Sequence, residues 1–146
     1  MVLTIDIGNT NIVVGCFQDD RLLFLERFST IQEATRLEYV TILKETLDLH
    51  GVSPSDIEGG ILSSVVPSVT GTVKEAAEQY TGAQILVVGP GIRTGLKLAV
   101  DDPAQQGSDL VVGAVAGVHY YDAPLILIDM GTATTVSVVD SQKHYI

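Results

Sequence analysis

Ile5-Asp6-Ile7-Gly8-Asn9-Thr10-Asn11, near one end of the chain, and Ile128-Asp129-Met130-Gly131-Thr132-Ala133-Thr134, near the other, are two copies of one device. Each begins in an apolar, β-branched run, passes through Asp-x-Gly, and continues through Thr or Asn into a second run rich in Val. A β-branched run interrupted by glycine and small polar residues reads as strand, tight turn, strand. Gly8 tolerates positive φ and lets a ligand come close to the backbone. A motif that recurs in this way implies two similar domains. The second copy lies so late that only the opening elements of its domain follow, so the 146 residues are expected to be an incomplete protein.

Working outward, Val2 to Ile7, Ile12 to Phe17 and Leu22 to Phe28 read as three strands joined by short turns, an antiparallel meander. Glu38 to His50 carries Val40, Leu43, Leu47 and Leu49 at roughly helical spacing, and Gly51 stops it. Ile57 to Val66 reads as a buried strand. Pro67 opens a helix over Ser68 to Tyr80, ended by Thr81-Gly82, and Gln84 to Val88 reads as a strand. A loop with Gly89, Pro90, Gly91, Thr94 and Gly95 follows. From Ala104 the chain reads as helical through Tyr121, with Gly113, Ala114, Ala116 and Gly117 suited to close packing against a neighbour. Leu125 to Met130 and Thr135 to Val139 form the second hairpin, and a further strand opens at Lys143 to Ile146. Three antiparallel strands followed by βαβα is the ribonuclease-H-like order. The expected fold is therefore α/β, a mixed sheet flanked by helices over residues 1–105. Residues 106–146 are expected to open a second such domain.

Composition narrows the functional classes. Hydrophobic residues make up 46% and the net charge is −10. An acidic chain has no general attraction for a phosphate backbone, so nucleic-acid binding is not expected. It can still bind a nucleotide through Mg²⁺, which carboxylates hold. The single cysteine, Cys16, excludes an internal disulfide framework, fits a reducing compartment, and reads as a small core residue. The start has no basic n-region, and no apolar stretch reaches membrane-spanning length, so the expected location is cytoplasmic, with no membrane partner. His50, His119 and His144 are too scattered for a metal cluster. Ser63-Ser64 lacks the Gly-x-Ser-x-Gly elbow of a hydrolase, and no P-loop occurs.

The chemistry sits at the hairpin tips. Asn9, Thr10 and Asn11 offer amides, a hydroxyl and backbone N–H groups, which can cradle a phosphate as a nest. Asp6 is too acidic to touch phosphate directly but can act through Mg²⁺ or its water. Asp129, Thr132 and Thr134 repeat the arrangement. Two such hairpins across a cleft would hold a triphosphate from both sides, which is how the actin-like and sugar-kinase superfamily is built. A third acid, Asp109, lies near a helix start. It reads either as a first-turn acid, which favours helix starts, or as the carboxylate that takes a substrate hydroxyl's proton in phosphoryl transfer. Sequence leaves both open.

On these segments the chain resembles type III pantothenate kinases. Asp6-Ile7-Gly8-Asn9-Thr10-Asn11 matches the family's phosphate-binding opening. Ser63-Ser64-Val65-Val66-Pro67 is similar to its Ser-Val-Val-Pro segment. Gly89-Pro90-Gly91-Ile92-Arg93-Thr94-Gly95 is similar to its Gly-Pro-Gly-x-x-Thr-Gly loop, and Asp129-Met130-Gly131-Thr132-Ala133-Thr134 to its second hairpin. The resemblance implies ATP-dependent phosphorylation of pantothenate, the first step towards coenzyme A, by a homodimer using Mg²⁺ and a monovalent cation, K⁺ or NH₄⁺. It implies Asp6, Gly8, Asn9, Thr10, Asn11, Gly131, Thr132 and Thr134 at ATP, Asp6 and Asp129 at metal, and Asp109 as base. Val100, Gly107, Ser108, Asp109 and Leu110 fall at the substrate positions. There the pattern departs: the family's Gly-Ala-Asp-Arg is Gly107-Ser108-Asp109-Leu110 here, and its pocket Tyr is Val100. In the family that Arg helps bind the pantothenate carboxylate. Arg93 or Lys97 could replace it, or the substrate could be another small hydroxylated acid. A non-catalytic nucleotide- or metabolite-binding regulator is the other reading. The 146 residues alone are expected to be inactive.

Overall fold

Antiparallel pairing organises both ends of the chain. The computed structural model describes residues 1–89, 92–100, 102, 106–131 and 133–146. The readings made above for Pro90, Gly91, Asp101, Pro103, Ala104, Gln105 and Thr132 lie outside the described residues. The chain divides into two compact units, Met1–Val88 and Gly89–Ile146.

In the first unit, Val2–Ile7 (β1) pairs antiparallel with Asn11–Gln18 (β2), and β2 pairs antiparallel with Arg21–Ser29 (β3). Gly59–Ser64 (β4) lies parallel to β1 on its other side, and Ile85–Val87 (β5) lies parallel to β4. The order is β3-β2-β1-β4-β5, the mixed sheet of the ribonuclease-H-like fold. Its parallel half follows from the connections, since Arg36–Leu49 (α1) and Pro67–Thr81 (α2) return the chain to the same sheet end.

Period-two alternation decides which face is covered. Leu3, Ile5 and Ile7 are buried and register with Cys16, Val14 and Ile12, which are buried too. Tyr39, Leu43 and Leu47 of α1 and Val69, Val73 and Ala76 of α2 join that core. Burying each large aliphatic side chain contributes about 1.5–3 kcal/mol. Asp6 falls on the opposite face and is exposed. Cys16 is a core residue as expected, and burial raises its thiol pKa.

Several boundaries differ from the sequence reading. Helix α1 starts at Arg36 rather than Glu38, because Thr35 caps it. The Glu38 carboxylate accepts from Thr35 N at 2.7 Å, and Glu38 N donates to Thr35 Oγ1 at 3.4 Å, a reciprocal capping box. Its buried face is Tyr39, Leu43, Thr46 and Leu47, while Leu49 is exposed. The strand read over Ile57 to Val66 is only Gly59–Ser64, preceded by a 3₁₀ turn over Pro54–Asp56. Ile57 and Val66 are buried without strand pairing.

In the second unit, Leu125–Met130 (here β7) pairs antiparallel with Thr134–Val139 (β8), and β8 pairs antiparallel with His144–Tyr145 (β9). This repeats the β1-β2-β3 meander. The loop segment contains a strand that the sequence reading missed, Lys97–Leu98 (β6), which lies parallel to β9. The sheet order is β6-β9-β8-β7. The helix read from Ala104 begins at Ser108 and runs to Tyr120 (α3), with Gly107 as its N-cap. It packs on β7 and β8. Ala114, Leu96, Val139 and Tyr145 form the buried centre, with Leu110, Leu125 and Leu127 packed against it. Gly117 allows the close approach, since a Cβ there would lie 2.7 Å from Leu127 Cδ2. Ala116 and Gly113, also read as packing residues, are exposed.

Candidate functional site

The first hairpin ends in a turn tied at three points. Gly8 N donates to Asn11 O at 2.9 Å, Thr30 N to Thr10 O at 2.9 Å, and Thr30 Oγ1 to Gly8 O at 2.6 Å. The brace from Thr30 fixes the turn, and sequence reasoning missed it because Thr30 lies beyond β3. Asp6, Asn9 and Thr10 are exposed and Asn11 is half-buried. Asp6 registers with Val13 of β2 and Ser63 of β4.

The Ser63-Ser64-Val65-Val66-Pro67 segment does structural work next to it. Val65 N donates to Ile7 O at 3.0 Å, which joins β4 to the end of β1. Ser64 Oγ accepts from Val66 N at 3.0 Å and from Thr70 Oγ1 at 2.7 Å, which fixes the start of α2. Pro67, at the first helical position, has no N–H to leave unpaired.

The second unit holds a pocket of about 230 Å³ between the first turns of α3 and the β7–β8 hairpin. Asp109, Leu110, Gly113 and Ala114 line it from the helix, and Leu127, Ile128, Asp129, Thr135 and Ser137 line it from the sheet. The placement follows from two periodicities. Asp109 and Gly113 are four residues apart and share a helix face. Leu127 and Asp129 alternate onto the face of β7 that α3 covers, and Thr135 registers with Asp129.

Asp109 is the second residue of α3 and half-buried. Its Oδ1 accepts from Leu110 N at 2.9 Å, and its other oxygen has no partner among the described residues. Asp129 is exposed and makes no hydrogen bond or ion pair among the described residues. Thr135 Oγ1 is buried and has no hydrogen-bond partner among the described residues, whereas Ser137 Oγ lies 3.0 Å from Tyr145 Oη. Such a pocket offers carboxylates to accept a proton or hold a hard cation, hydroxyls for a polar ligand, and an apolar wall.

Asp109, Leu110 and Asp129 are thus brought together. Gly107, Ser108 and Val100 do not line this pocket. Gly107 caps α3, Ser108 is its first residue, and Val100 packs against the second unit's core. Arg93 and Lys97 are exposed and outside the lining as well. Gly131 N donates to Ala133 O at 3.1 Å, and Thr134 is exposed at the start of β8. Gly113, Ala114, Leu127, Thr135 and Ser137 were missed, although stepping four residues on from Asp109 and two back from Asp129 would have found Gly113 and Leu127. Among the described residues, no group of three or more His, Cys, Asp or Glu could hold a metal by themselves. No described helix is long and apolar enough to cross a membrane.

Comparison with known proteins bears on both fold and family. A family model described as type III pantothenate kinase matches residues 2–146. A type III pantothenate kinase of Exiguobacterium sp. (strain ATCC BAA-1283 / AT1b) is 44% identical over 145 residues, covering 99% of this chain and 57% of that protein. The chain therefore spans little more than half the length of that relative. Among solved structures, a ROK hexokinase from Thermus thermophilus superposes with a TM-score of 0.57 at 17% identity, over 99% of this chain and 48% of the other. A reductive activator for a corrinoid, iron–sulfur protein also gives 0.57, at 14% identity, over 96% and 29%. These structural likenesses establish the fold alone, which serves unrelated chemistries.

Proposed function

The chain belongs to the type III pantothenate kinase family, and from that premise we propose that the full-length protein transfers the γ-phosphoryl group of ATP to the hydroxyl of pantothenate, the first step of coenzyme A biosynthesis. The observation that carries the reading is that Asp109 and Asp129 line one pocket, one from the start of α3 and the other from the end of β7. A kinase acting on an alcohol needs a carboxylate within reach of the hydroxyl, and positioning supplies most of the remaining catalysis.

In this reading Asp109 is the base. Its oxygen without a partner accepts the hydroxyl proton while the substrate oxygen attacks the γ-phosphorus. The bond to the β,γ-bridging oxygen breaks, and ADP departs with that electron pair. The single bond from Leu110 N holds the carboxylate in place without consuming both oxygens. The turn residues Gly8, Asn9, Thr10 and Asn11, and Gly131, Thr132 and Thr134, bind the phosphates. The N–H groups of Gly8 and Gly131 are already used inside their turns, so these two glycines serve by letting the phosphates come close to the backbone. The Thr30 brace keeps the first of these turns preformed, so less ordering cost falls on binding. Gly107, Ser108 and Val100 belong to the substrate side of the same reading.

The donor set suits a hard divalent cation: Asp6 and Asp129 are exposed carboxylates at strand ends, and Asp129 has no competing partner among the described residues. Mg²⁺ would offset charge on the phosphate oxygens, with Asp6 the candidate ligand in the first unit and Asp129 the candidate ligand in the second. A monovalent cation, K⁺ or NH₄⁺, a homodimeric assembly and a cytoplasmic location complete the reading on family grounds and are assigned no residues.

Replacing Asp109 by Asn in the full-length protein keeps the side chain's shape and removes the base. We expect kcat to fall by about 10²–10⁴, with ATP affinity by calorimetry unchanged. Normal turnover by that variant would remove Asp109 from the mechanism.

A further inference from the structure

The turn between β1 and β2 is held from outside itself, by the segment that follows β3. Thr30 donates to two of its carbonyls, from Oγ1 to Gly8 O at 2.6 Å and from N to Thr10 O at 2.9 Å. The first of these bonds fixes the Gly8–Asn9 peptide. In a planar trans peptide the C=O and N–H point in opposite directions, so a held Gly8 oxygen also sets the direction of the Asn9 N–H. Glycine makes rotation of that peptide cheap, because its φ and ψ are so little restricted. A rotated peptide would present its carbonyl oxygen where its N–H had been, and an anion at the turn would meet the negative end of the dipole.

Thr30 is fixed in turn by the hydrophobic core. Tyr39, in the first turn of α1, is 0% exposed and reaches the next residue, Ile31, with both capacities of its hydroxyl. Its Oη donates to Ile31 O at 2.8 Å and accepts from Ile31 N at 3.3 Å. Burial raises the Tyr39 pKa above its ordinary value, so the O–H keeps the proton it donates. The Tyr39 ring lies 6.5 Å from that of Phe28, which packs the end of β3 against the start of α1.

We propose that Thr30 and Tyr39 are positioning residues for the nucleotide, Tyr39 acting through Ile31 and Thr30 acting on the Gly8–Asn9 peptide, so that its N–H is set for phosphate before ATP arrives. The proposal rests on the reading of this turn as a phosphate site. It adds to that reading a side chain in the core that is too deeply buried to touch a ligand. Order imposed on the turn during folding need not be imposed during binding, which favours affinity. The effect is confined to ATP, because pantothenate is assigned to the other unit's pocket.

Full-length wild-type protein and the variants Tyr39→Phe, Thr30→Val and Thr30→Ser are titrated with ATP and Mg²⁺ by calorimetry. KM values for ATP and for pantothenate are measured beside them. Thr46→Val serves as the control, since Thr46 lies on the buried face of the same helix and its Oγ1 donates within that helix to Ile42 O at 2.8 Å. Tyr39→Phe and Thr30→Val are expected to weaken ATP binding by about three- to tenfold, the range for one lost hydrogen bond, with KM for pantothenate changed by less than about twofold. Thr30→Ser keeps the hydroxyl and is expected to keep wild-type affinity. Thr46→Val is expected to lower the thermal midpoint and leave ATP affinity unchanged. If Tyr39→Phe does not fold, as circular dichroism would reveal, the Thr30 pair decides alone. Unchanged ATP affinity in Tyr39→Phe and Thr30→Val overturns the proposal and leaves their hydroxyls a role in stability only. An equal rise in KM for both substrates overturns it too, because that reports a general loosening. Wild-type protein that binds no ATP overturns the phosphate reading itself, a result distinct from wild-type binding that the variants share.

Discussion

Asp140 holds the turn between β8 and β9 through one oxygen. Its Oδ1 accepts from His144 N and from Gln142 N, each at 2.8 Å, and its Oδ2 lies 3.3 Å from His144 Nδ1. The backbone N–H of His144 is the main reason that this carboxyl's pKa lies below the usual carboxylate value, with the Gln142 N–H and the His144 ring adding to it. A depressed folded-state pKa means that the folded protein favours the ionised form. The contribution is then fully present above the unfolded value, near 3.9, and is lost as pH falls through the lower folded value. Asp140→Asn keeps an oxygen acceptor in the turn but cannot titrate. Between about pH 4 and pH 2.5 the thermal midpoint of the wild-type protein is expected to fall further than that of Asp140→Asn. Parallel midpoints across that range would show that the two backbone bonds carry no charge-dependent stability. Glu78 follows the same logic in the first unit: its Oε1 accepts from Lys74 Nζ at 2.8 Å and from Ile85 N at 3.1 Å, and these lower its pKa. That one side chain joins the end of α2 to the start of β5.

At the scale of elements, α3 combines two demands that conflict at Gly113. A glycine inside a helix costs about 0.5–1 kcal/mol relative to alanine, and a Cβ at Gly113 would meet nothing within 4 Å. The open space is the pocket beside Asp109. Gly113→Ala is therefore expected to raise stability by about 0.5–1 kcal/mol in denaturant titration, while its methyl raises the KM for substrate. A stability gain with unchanged KM would mean that substrate does not use this part of the groove. The same helix marks where sequence could be read and where it could not. Both hairpins were legible because β-branched runs broken by Asp-x-Gly are local signals. The α1 start was legible as well, since Thr35-Arg36-Leu37-Glu38 has capping-box spacing, and it was missed in favour of the first periodic residue. Strand β6 was not legible: its two residues exist only through parallel pairing with β9, and no local preference announces that. Ile57 and Val66 extended the reading of β4 because burial without pairing leaves the same apolar trace as a strand. In the site, acids and glycines at a turn were visible, whereas Thr30, Thr135 and Ser137 matter only through contacts made by folding.

At the scale of the molecule, the two units differ in how much of their apolar surface has been closed. The first packs two helices on one sheet face around Leu3, Ile5, Ile7, Leu43, Leu62 and Val73, each no more than 2% exposed. Among its described residues the second has a buried cluster of only Leu96, Ala114, Val139 and Tyr145 at its centre. The face of its hairpin away from α3 leaves Ile126, Ile128, Met130 and Val136 between 63% and 82% exposed. Ordering each residue costs about 1–2 kcal/mol of backbone entropy, so net stability depends on how completely a core offsets that cost. By that measure the first unit is self-sufficient and the second is not. Expressed alone, Met1–Val88 is expected to show dispersed amide resonances and a cooperative urea transition. Gly89–Ile146 alone is expected to show neither, and to bind a hydrophobic dye through the open β7–β8 face. The two fragments differ in the kind of evidence they would give. Cooperative unfolding of isolated Gly89–Ile146 would mean that α3 and its hairpin hold together without further cover. The pocket between Asp109 and Asp129 would then be an autonomous structure, not one that depends on additional chain packed against the hairpin.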